Sequence, residues 1–153
     1  MKSGLFEETK EGFLISTDKS KLDVDIIFDY LSNRSYWAKG VPLEKVKRAI
    51  ENSICFGVYD SSNLIGFARV VTDKATIAYI GDVFILESHR GKGLSKRLME
   101  CILKHPELQE FRRWILLTKD AHGLYKQFGF NAPEEPETYM ELRKKDVYKK
   151  ESD

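Results

Sequence analysis

The sequence has few cysteines, and their placement excludes two classes of small protein. Only Cys55 and Cys101 are present among 153 residues, and they form no Cys-x-x-Cys pair. Both lie within apolar runs, which predicts buried free thiols and excludes a disulfide framework or a zinc-binding cluster. Free thiols are typical of a reducing compartment, so a cytoplasmic location is expected.

The sequence also lacks an excess of one charge and any long hydrophobic run. Lys and Arg total 25 against 24 for Asp and Glu, a formal net charge of +1. Nucleic-acid-binding domains usually show a basic excess, so no nucleic-acid partner is expected. No apolar run approaches the ~20 residues that cross a bilayer. The opening, MKSGLFEETKEGF, is too polar for a signal peptide, and no membrane partner is expected.

What the sequence does contain is the periodicity of one mixed α/β domain. Its length and its 42% hydrophobic content suit a single domain over residues 1–153, with a charged, solvated tail from about residue 143. The first helix is expected to be capped by Asp18 or Ser20. Helices are predicted at residues 21–32, 43–53, 94–103 and 120–128, and strands at 13–18, 54–59, 64–72, 76–86, 114–118 and 137–142.

The order of these elements predicts how the strands pair. Short polar connections join the three strands between residues 54 and 86, which favours an antiparallel meander. The strand at 114–118 follows a crossover through a helix and should lie parallel to the strand at 76–86. The sequence therefore predicts a mixed sheet in which a meander is followed by a β-α-β crossover.

Glycines and positive charges cluster where the strand at 76–86 gives way to a helix, in VFILESHRGKGLSKRLMECIL. The first N–H groups of a helix have no intrahelical partner, and the helix dipole adds partial positive charge there. Gly91 and Gly93 let the backbone take unusual dihedral angles and let a ligand approach closely. The positive charges around this opening are Arg90, Lys92, Lys96 and Arg97.

Two common phosphate-binding motifs do not fit this turn. A Walker loop needs a Gly five positions before Gly-Lys and a Ser or Thr directly after the Lys, and neither is present around Lys92. A dinucleotide Gly-x-Gly-x-x-Gly motif begun at Gly91 would end on Arg97. Two interpretations of residues 90–97 therefore remain. One is a tight turn with a solvated basic face, and the other is a pocket for a different phosphate-bearing ligand.

The turn resembles the Arg/Gln-x-x-Gly-x-Gly/Ala signature of the GNAT superfamily of N-acetyltransferases. Residues 90–95 read Arg-Gly-Lys-Gly-Leu-Ser, with the small Ser95 at the last position. Residues 121–130, AHGLYKQFGF, resemble the Ala-x-x-x-Tyr-x-x-x-Gly-Phe segment of the same family. The order of elements from about residue 13 to residue 142 is also similar to that family.

This resemblance implies a three-layer, GNAT-like fold in which splayed parallel strands form a cleft for acetyl-coenzyme A, with no metal. In that family the turn wraps the pyrophosphate and the preceding strand pairs with the pantetheine arm. The cofactor-binding residues that it implies are Val83, Phe84, Ile85, Arg90, Gly91, Lys92, Gly93, Leu94, Ser95, Lys96 and, where the family often has Asn, Thr118.

Tyr125 is the residue that the resemblance assigns as the acid that protonates the leaving thiolate. The surrounding sequence predicts a short helix with Asp120 as N-cap and Gly129 as C-terminal cap. Leu124 and Phe128 would anchor one face of this helix, so that the Tyr125 hydroxyl could project into the cleft. A partly buried tyrosine bonded to a backbone group is the alternative.

The base that takes the proton of the amine is left open among three candidates. Asp82 directly precedes VFIL on the strand that borders the cleft. His122 lies three residues before Tyr125, and a histidine with an ordinary pKa is largely neutral at working pH. Water or another group is the third candidate.

Tyr36 and Trp37 lie between the first two helices, in the region that covers the acceptor in the resembling family. They could line an acceptor pocket or form a hydrophobic plug in the core. The expected activity is acetyl transfer to a primary amine, with a small molecule favoured over a protein lysine or N-terminus. The alternative from another functional class is a sensor that binds acyl-coenzyme A without catalysis. The sequence does not decide whether the protein forms a homodimer.

Overall fold

A mixed sheet of six strands forms the centre of the protein in a computed structural model that describes residues 4–149. The strands pair in chain order, antiparallel throughout except for the last pair, which is parallel. The predicted meander and parallel crossover are therefore confirmed. The strands are β1 (Glu7–Lys10), β2 (Phe13–Ser16), β3 (Ile54–Asp60), β4 (Asn63–Thr72), β5 (Ile77–Ile85) and β6 (Arg113–Leu116).

Helices cover both faces of the sheet and make three layers. They are α1 (Val24–Asp29), which continues as a π-helical turn at Tyr30–Arg34, α2 (Leu43–Glu51), α3 (Leu94–Lys104) and α4 (His122–Lys126). Side chains of α1 and α2 share one core cluster with Phe67 and Phe84. Leu98 and Ile102 of α3 share the second cluster with Phe56, and residues of α4 pack against it. Alternate strand residues thus supply two separate cores, as a sheet covered on both faces requires.

The beginning of the chain differs from the sequence prediction in two places. The strand β1 was not predicted, and β2 ends at Ser16 because the Asp18 carboxylate accepts the Ser20 N–H in a turn that follows it. The cap of α1 is Asp23, which accepts the N–H of Ile26 at 3.2 Å. The predicted caps Asp18 and Ser20 are wrong because the helix begins later than its apolar periodicity does.

The parallel strands β5 and β6 separate after a short paired stretch. Residues 77–80 of β5 pair with residues 113–116 of β6, and within the described chain no strand pairs with the rest of β5 on that side. Between the pairs Arg69–Gly81 and Phe67–Phe84, two residues of β5 oppose one of β4, which is a β-bulge. Asp82 lies in this bulge with φ +53°, and the pairing with β6 ends two residues before it.

The end of the chain corrects two further predictions. The predicted strand at 137–142 is absent: a 3-10 turn occupies Pro136–Thr138, and the side chains of Tyr139, Met140 and Leu142 are exposed. An apolar pattern gives a strand only where a neighbouring edge accepts its backbone hydrogen bonds. The tail is not wholly solvated, because Tyr148 is half-buried, with Lys45 Nζ 5.0 Å from its ring centre. Residues 150–153 of the predicted tail lie outside the described residues.

Two other sequence expectations concern cysteines and membrane spans. Cys55 and Cys101 are free and buried, as predicted. Burial raises the pKa of each thiol to about 11, which disfavours the reactive thiolate. Over residues 4–149, no helix has both the length and the apolar character needed to cross a bilayer.

Candidate active site

The turn before α3 has open space and unpaired backbone donors. Gly91 and Gly93 have φ angles of +80° and +73°, in the left-handed region that favours glycine. Nothing lies within 4 Å of the position that a Cβ would occupy at either glycine. Among the described residues, the backbone N–H groups of 91–96 find no hydrogen-bond acceptor. Such a turn at the start of an 11-residue helix suits an anionic group.

The positive side chains around the turn divide into exposed and internally bonded groups. Lys92 and Lys96 are exposed, and Leu94 is buried beneath them. Arg90 folds back towards the sheet, where Nε donates to the carbonyl of Ile85 at 3.0 Å and Nη2 donates to the Tyr30 hydroxyl at 2.9 Å. Arg90 therefore braces the turn against β5 and α1.

The expectation that Arg97 supplies charge to the opening is wrong. Arg97 is buried, and its guanidinium donates to the carbonyls of Glu8, Lys10 and Phe13, each at 3.0 Å. These bonds fasten the β1–β2 hairpin to α3. The sequence pattern could not distinguish this long-range contact from a solvated arginine.

The end of β5 forms one wall of the gap. Phe84 and Ile85 are buried in opposite core clusters, and Val83 packs with the Ile85 cluster. The rings of Phe84 and Tyr30 stack with centroids 4.0 Å apart, which fixes this wall against the helix layer. The backbone edge that faces β6 is left without a strand partner in the part of the chain that is described.

Tyr125 is held in the core cluster of Ile85 by the local bonds of α4. Gly129 N–H donates to the Lys126 carbonyl and Phe130 N–H to the Tyr125 carbonyl, at 3.1 and 3.2 Å, and Gly129 has φ +91°. This pair of bonds is a Schellman motif, which confirms Gly129 as the C-terminal cap. Phe130 packs edge-on against the Tyr125 ring at 6.1 Å.

The start of α4 differs from the prediction. Thr118 Oγ1 accepts the N–H of Ala121 at 3.0 Å, so the expectation that Asp120 caps this helix is wrong. Thr118 lies in the loop between β6 and α4, two residues after β6 ends, and has this local structural role. Leu124 and Phe128 pack on the core as predicted.

The environment of the Tyr125 hydroxyl keeps it protonated. The residue is only 8% exposed, and within residues 4–149 its hydroxyl has no hydrogen-bond partner. Burial raises the pKa of Tyr125 above its ordinary value, and the nearby Tyr36 phenol and Asp120 carboxyl raise it further. A neutral phenol without a partner is available as a proton donor.

Asp82 is engaged by two neighbours. Its Oδ1 accepts the indole N–H of Trp37 at 2.8 Å, and its Oδ2 accepts Nε–H of Arg69 at 2.9 Å. A carboxylate has about four acceptor sites, so acceptor capacity remains. His122 is exposed at the first position of α4, whereas Tyr125 on the same helix is buried. The structure joins Asp82 to Trp37 and leaves His122 on the exposed side of α4.

Tyr36 and Trp37 occupy different places beside the gap. Tyr36 is 53% exposed, and its hydroxyl accepts the N–H of Lys119 at 3.0 Å, which links the α1–α2 connection to the loop before α4. Trp37 is 40% exposed and lines a cavity of about 250 Å³ between α1, α2 and the sheet. Neither residue is a plug buried in the core.

Sequence reasoning missed most residues of this cavity, among them Arg69, Tyr79 and Tyr148. Arg69 gave a detectable signal, because it is the single charge in the apolar strand sequence LIGFARVVT. Tyr148 gave none, since a tail residue reaches the cavity only through its contact with α2. Within the described range, no group of His, Cys, Asp and Glu side chains could hold a metal ion.

Comparison with known proteins identifies the class that this fold and site define. The sequence pattern of the Acetyltransferase (GNAT) family matches residues 24–130. The chain is 46% identical to a crystallised Xanthomonas campestris protein assigned to that family, with a TM-score of 0.90 over 93% of this chain and 100% of the other. The chain belongs to the GNAT acetyltransferase family.

Two further comparisons agree with this assignment. The chain is 32% identical to the Gibberella zeae protein FG08082, which is named as an acetyltransferase. The match covers 76% of this chain and 77% of that protein. A GNAT acetyltransferase from Elizabethkingia anophelis, crystallised with acetyl-coenzyme A, has the same fold at 13% identity, with a TM-score of 0.61 over 86% of this chain and 88% of its own.

Proposed function

We propose that the protein transfers an acetyl group from acetyl-coenzyme A to the primary amine of a small molecule by direct attack in a ternary complex. The observation that carries this proposal is the gap between β5 and β6. It opens after residues 80 and 116, and both Leu94 at the turn of α3 and Tyr125 pack in the core cluster that contains Ile85 of β5.

The residues around the gap fit the donor in charge and in hydrogen-bonding capacity. The free N–H groups of 91–96 and the exposed Lys92 and Lys96 suit a pyrophosphate. The edge of residues 83–85 that has no strand partner within residues 4–149 offers backbone groups to the amides of a pantetheine arm, in the manner of an added strand, except for the Ile85 carbonyl, which Arg90 already bonds. Thr118 borders the same gap from β6.

The bound donor supplies an activated thioester, and the chain supplies the groups that act on it. Backbone N–H groups at the end of β5 stabilise the oxyanion that forms when the amine nitrogen attacks the thioester carbon. Tyr125 gives its proton to the sulfur as the carbon–sulfur bond breaks, so the sulfur leaves as a neutral thiol. The raised pKa of Tyr125 keeps that proton in place at neutral pH.

The ammonium must also lose two protons on the way to the amide: one before the attack, and a second from the nitrogen after it, which restores the Tyr125 hydroxyl. Asp82 lies at the bulge of β5, beside Val83, and retains acceptor sites for the hydrogens of an incoming ammonium group. We assign to Asp82 the positioning of the amine and to water the removal of the first proton, because His122 is exposed on α4. Overall, one ammonium and one thioester give an amide, a thiol and one proton.

The size of the cavity beside Asp82 supports a small acceptor. It measures about 250 Å³ and lies beneath α1 and α2, where Trp37 and Tyr148 line it. The test is thiol release from acetyl-coenzyme A with a panel of amines, polyamines, amino acids and peptides. We expect release with small primary amines. Release with peptides alone would indicate a protein acetyltransferase, and binding of acetyl-coenzyme A without release would indicate a sensor.

A further inference from the structure

The acceptor cavity contains an ion pair with unused hydrogen-bonding capacity on both sides. We propose that the acceptor is an α-amino acid with an apolar side chain, bound with its ammonium on Asp82 and its carboxylate on Arg69. This inference rests on the proposed function, because it assigns the substrate class of that same site. The supporting observations are the bonds of Arg69, the charge of the cavity and its apolar lining.

Arg69 retains donors that point to an anionic ligand. Its Nε donates to Asp82 Oδ2 at 2.9 Å, and its Nη1 donates to Ser53 Oγ at 3.0 Å. A guanidinium has five N–H donors, so three remain, and across residues 4–149 these find no acceptor. Arg69 lines the cavity, and its side chain is 20% exposed. A carboxylate is the group that a guanidinium binds with matched geometry.

The arrangement of the two charges favours a zwitterion over a simple amine. Arg69 and Asp82 are in direct contact, so a ligand that satisfies both must carry its own opposite charges close together. The ammonium and carboxylate of an α-amino acid are on the same carbon and meet this condition. An ω-amino acid holds its charges apart, and a plain amine leaves the Arg69 donors unpaired.

Charge and shape elsewhere in the cavity agree with this ligand. Lys45 also lines the cavity, so two cations face one carboxylate and favour a ligand that brings an additional negative group. The remaining lining is mainly apolar and suits a hydrocarbon or aromatic side chain: Ile27, Leu31, Val41, Val46 and Phe67.

The test uses acceptors that differ by one charged group. L-phenylalanine is compared with 2-phenylethylamine, which lacks the carboxylate, and L-leucine with 3-methylbutylamine. Binding is measured by calorimetry without coenzyme A, and turnover is measured separately by thiol release. We expect the amino acid of at least one pair to bind and react at least ~10-fold better than its amine, because the amine leaves the guanidinium donors of Arg69 without a partner. Equal or better use of the plain amines, or no binding of either amino acid, would overturn the inference.

Variants on one helix supply a matched control. Lys45→Gln removes a cavity charge and should reduce the preference for the amino acid several-fold. Lys47→Gln removes an exposed charge of α2 outside the cavity lining and should leave the preference unchanged. Equal effects of the two variants would contradict the charge argument.

The inference and the proposed function fail in different ways. Turnover of plain amines with a melting temperature that rises on adding coenzyme A would overturn the inference alone. Amino-acid binding without any coenzyme A binding would overturn the proposed function and the acceptor role of the amino acid, and would leave only the amino acid as the ligand of the Asp82–Arg69 pair.

Discussion

At the scale of single residues, the hydroxyl of Tyr125 is the proposed proton donor to the leaving sulfur. Tyr125→Phe keeps the ring that packs on Phe130 and removes the proton donor. If proton donation limits the rate, kcat should fall by about 10²–10⁴-fold with little change in coenzyme A affinity. Steady-state thiol release together with thermal denaturation measures both effects.

The matched control for that change is Tyr139→Phe. Tyr139 is exposed in the segment after α4 and carries no proposed role, so turnover should stay at the wild-type rate. If a folded Tyr125→Phe variant turned over at the wild-type rate, Tyr125 would contribute only to packing and not to proton transfer.

The alkaline limb of the pH–rate profile offers a second test of Tyr125. Burial raises the pKa of this phenol above its ordinary value of 10.0, so the hydroxyl is mainly protonated below pH 10. We expect no loss of kcat from this group between pH 7 and pH 9. A Tyr125-dependent decline below pH 9 would contradict the assignment.

Trp37 links the acceptor cavity to Asp82 through its indole N–H. Trp37→Phe removes the 2.8 Å bond to Asp82 and keeps an aromatic ring, so KM for the acceptor should rise while KM for acetyl-coenzyme A stays nearly constant. Because Trp37 is 40% exposed, Trp37→Ala should cost less stability than the ~3–5 kcal/mol of a buried Trp truncation. If both variants left the KM for the acceptor unchanged, Trp37 would not belong to the acceptor site.

His105 makes stability depend on pH at a position remote from the cleft. Its Nδ1 accepts the N–H of Glu107 at 3.0 Å, and Nε2 bonds the Gly4 carbonyl at 3.2 Å, which fixes the neutral ring. Burial lowers the pKa of His105 below its ordinary 6.5. The unfolded chain therefore binds a proton first as pH falls, and stability present above pH 6.5 is lost below it.

That pH dependence is checked by melting temperatures between pH 8 and pH 5. His105→Gln should be less stable at pH 8 and show a shallower decline below pH 6.5 than the wild type. Parallel declines in the two proteins would show that other groups cause the pH dependence.

At the scale of elements, the turn before α3 is tested by a pair of glycine substitutions. Gly93→Glu places a negative side chain where the pyrophosphate is proposed to bind, and Gly12→Glu places the same side chain in the β1–β2 turn. Both glycines have positive φ and open space, so each substitution should cost about 1–2 kcal/mol of backbone strain. Only Gly93→Glu should abolish the rise in melting temperature that coenzyme A causes. A full rise in folded Gly93→Glu would exclude this turn as the phosphate site.

The same elements show which features the sequence predicts and which it does not. The parallel pairing of β5 with β6 was predictable because a helical crossover leaves few alternatives. The turn of α3 was predictable because Gly91 and Gly93 encode its positive φ angles locally. The position of the Arg97 side chain was predicted wrongly because it depends on three backbone carbonyls far away in the sequence. The strand predicted at residues 137–142 does not form because no neighbouring strand in the described part of the chain pairs with this segment.

At the scale of the whole molecule, the two proposed substrates approach the gap from different layers. The turn of α3 belongs to the helix layer that packs on one face of the sheet, and the acceptor cavity lies beneath α1 and α2 on the other face. Asp82, which lines the proposed acceptor cavity, lies in the bulge of β5, two residues after the pairing with β6 ends. This arrangement lets both substrates be bound at once, as direct transfer requires.

The most direct test of this account is a two-substrate initial-rate measurement with acetyl-coenzyme A and the best acceptor amine. We predict release of thiol that depends on the amine, reciprocal plots that intersect, and an N-acetylated product identified by mass spectrometry. Parallel reciprocal plots with an acetylated protein would contradict direct transfer in a ternary complex. Thiol release that is indifferent to every amine offered would contradict the proposed activity itself.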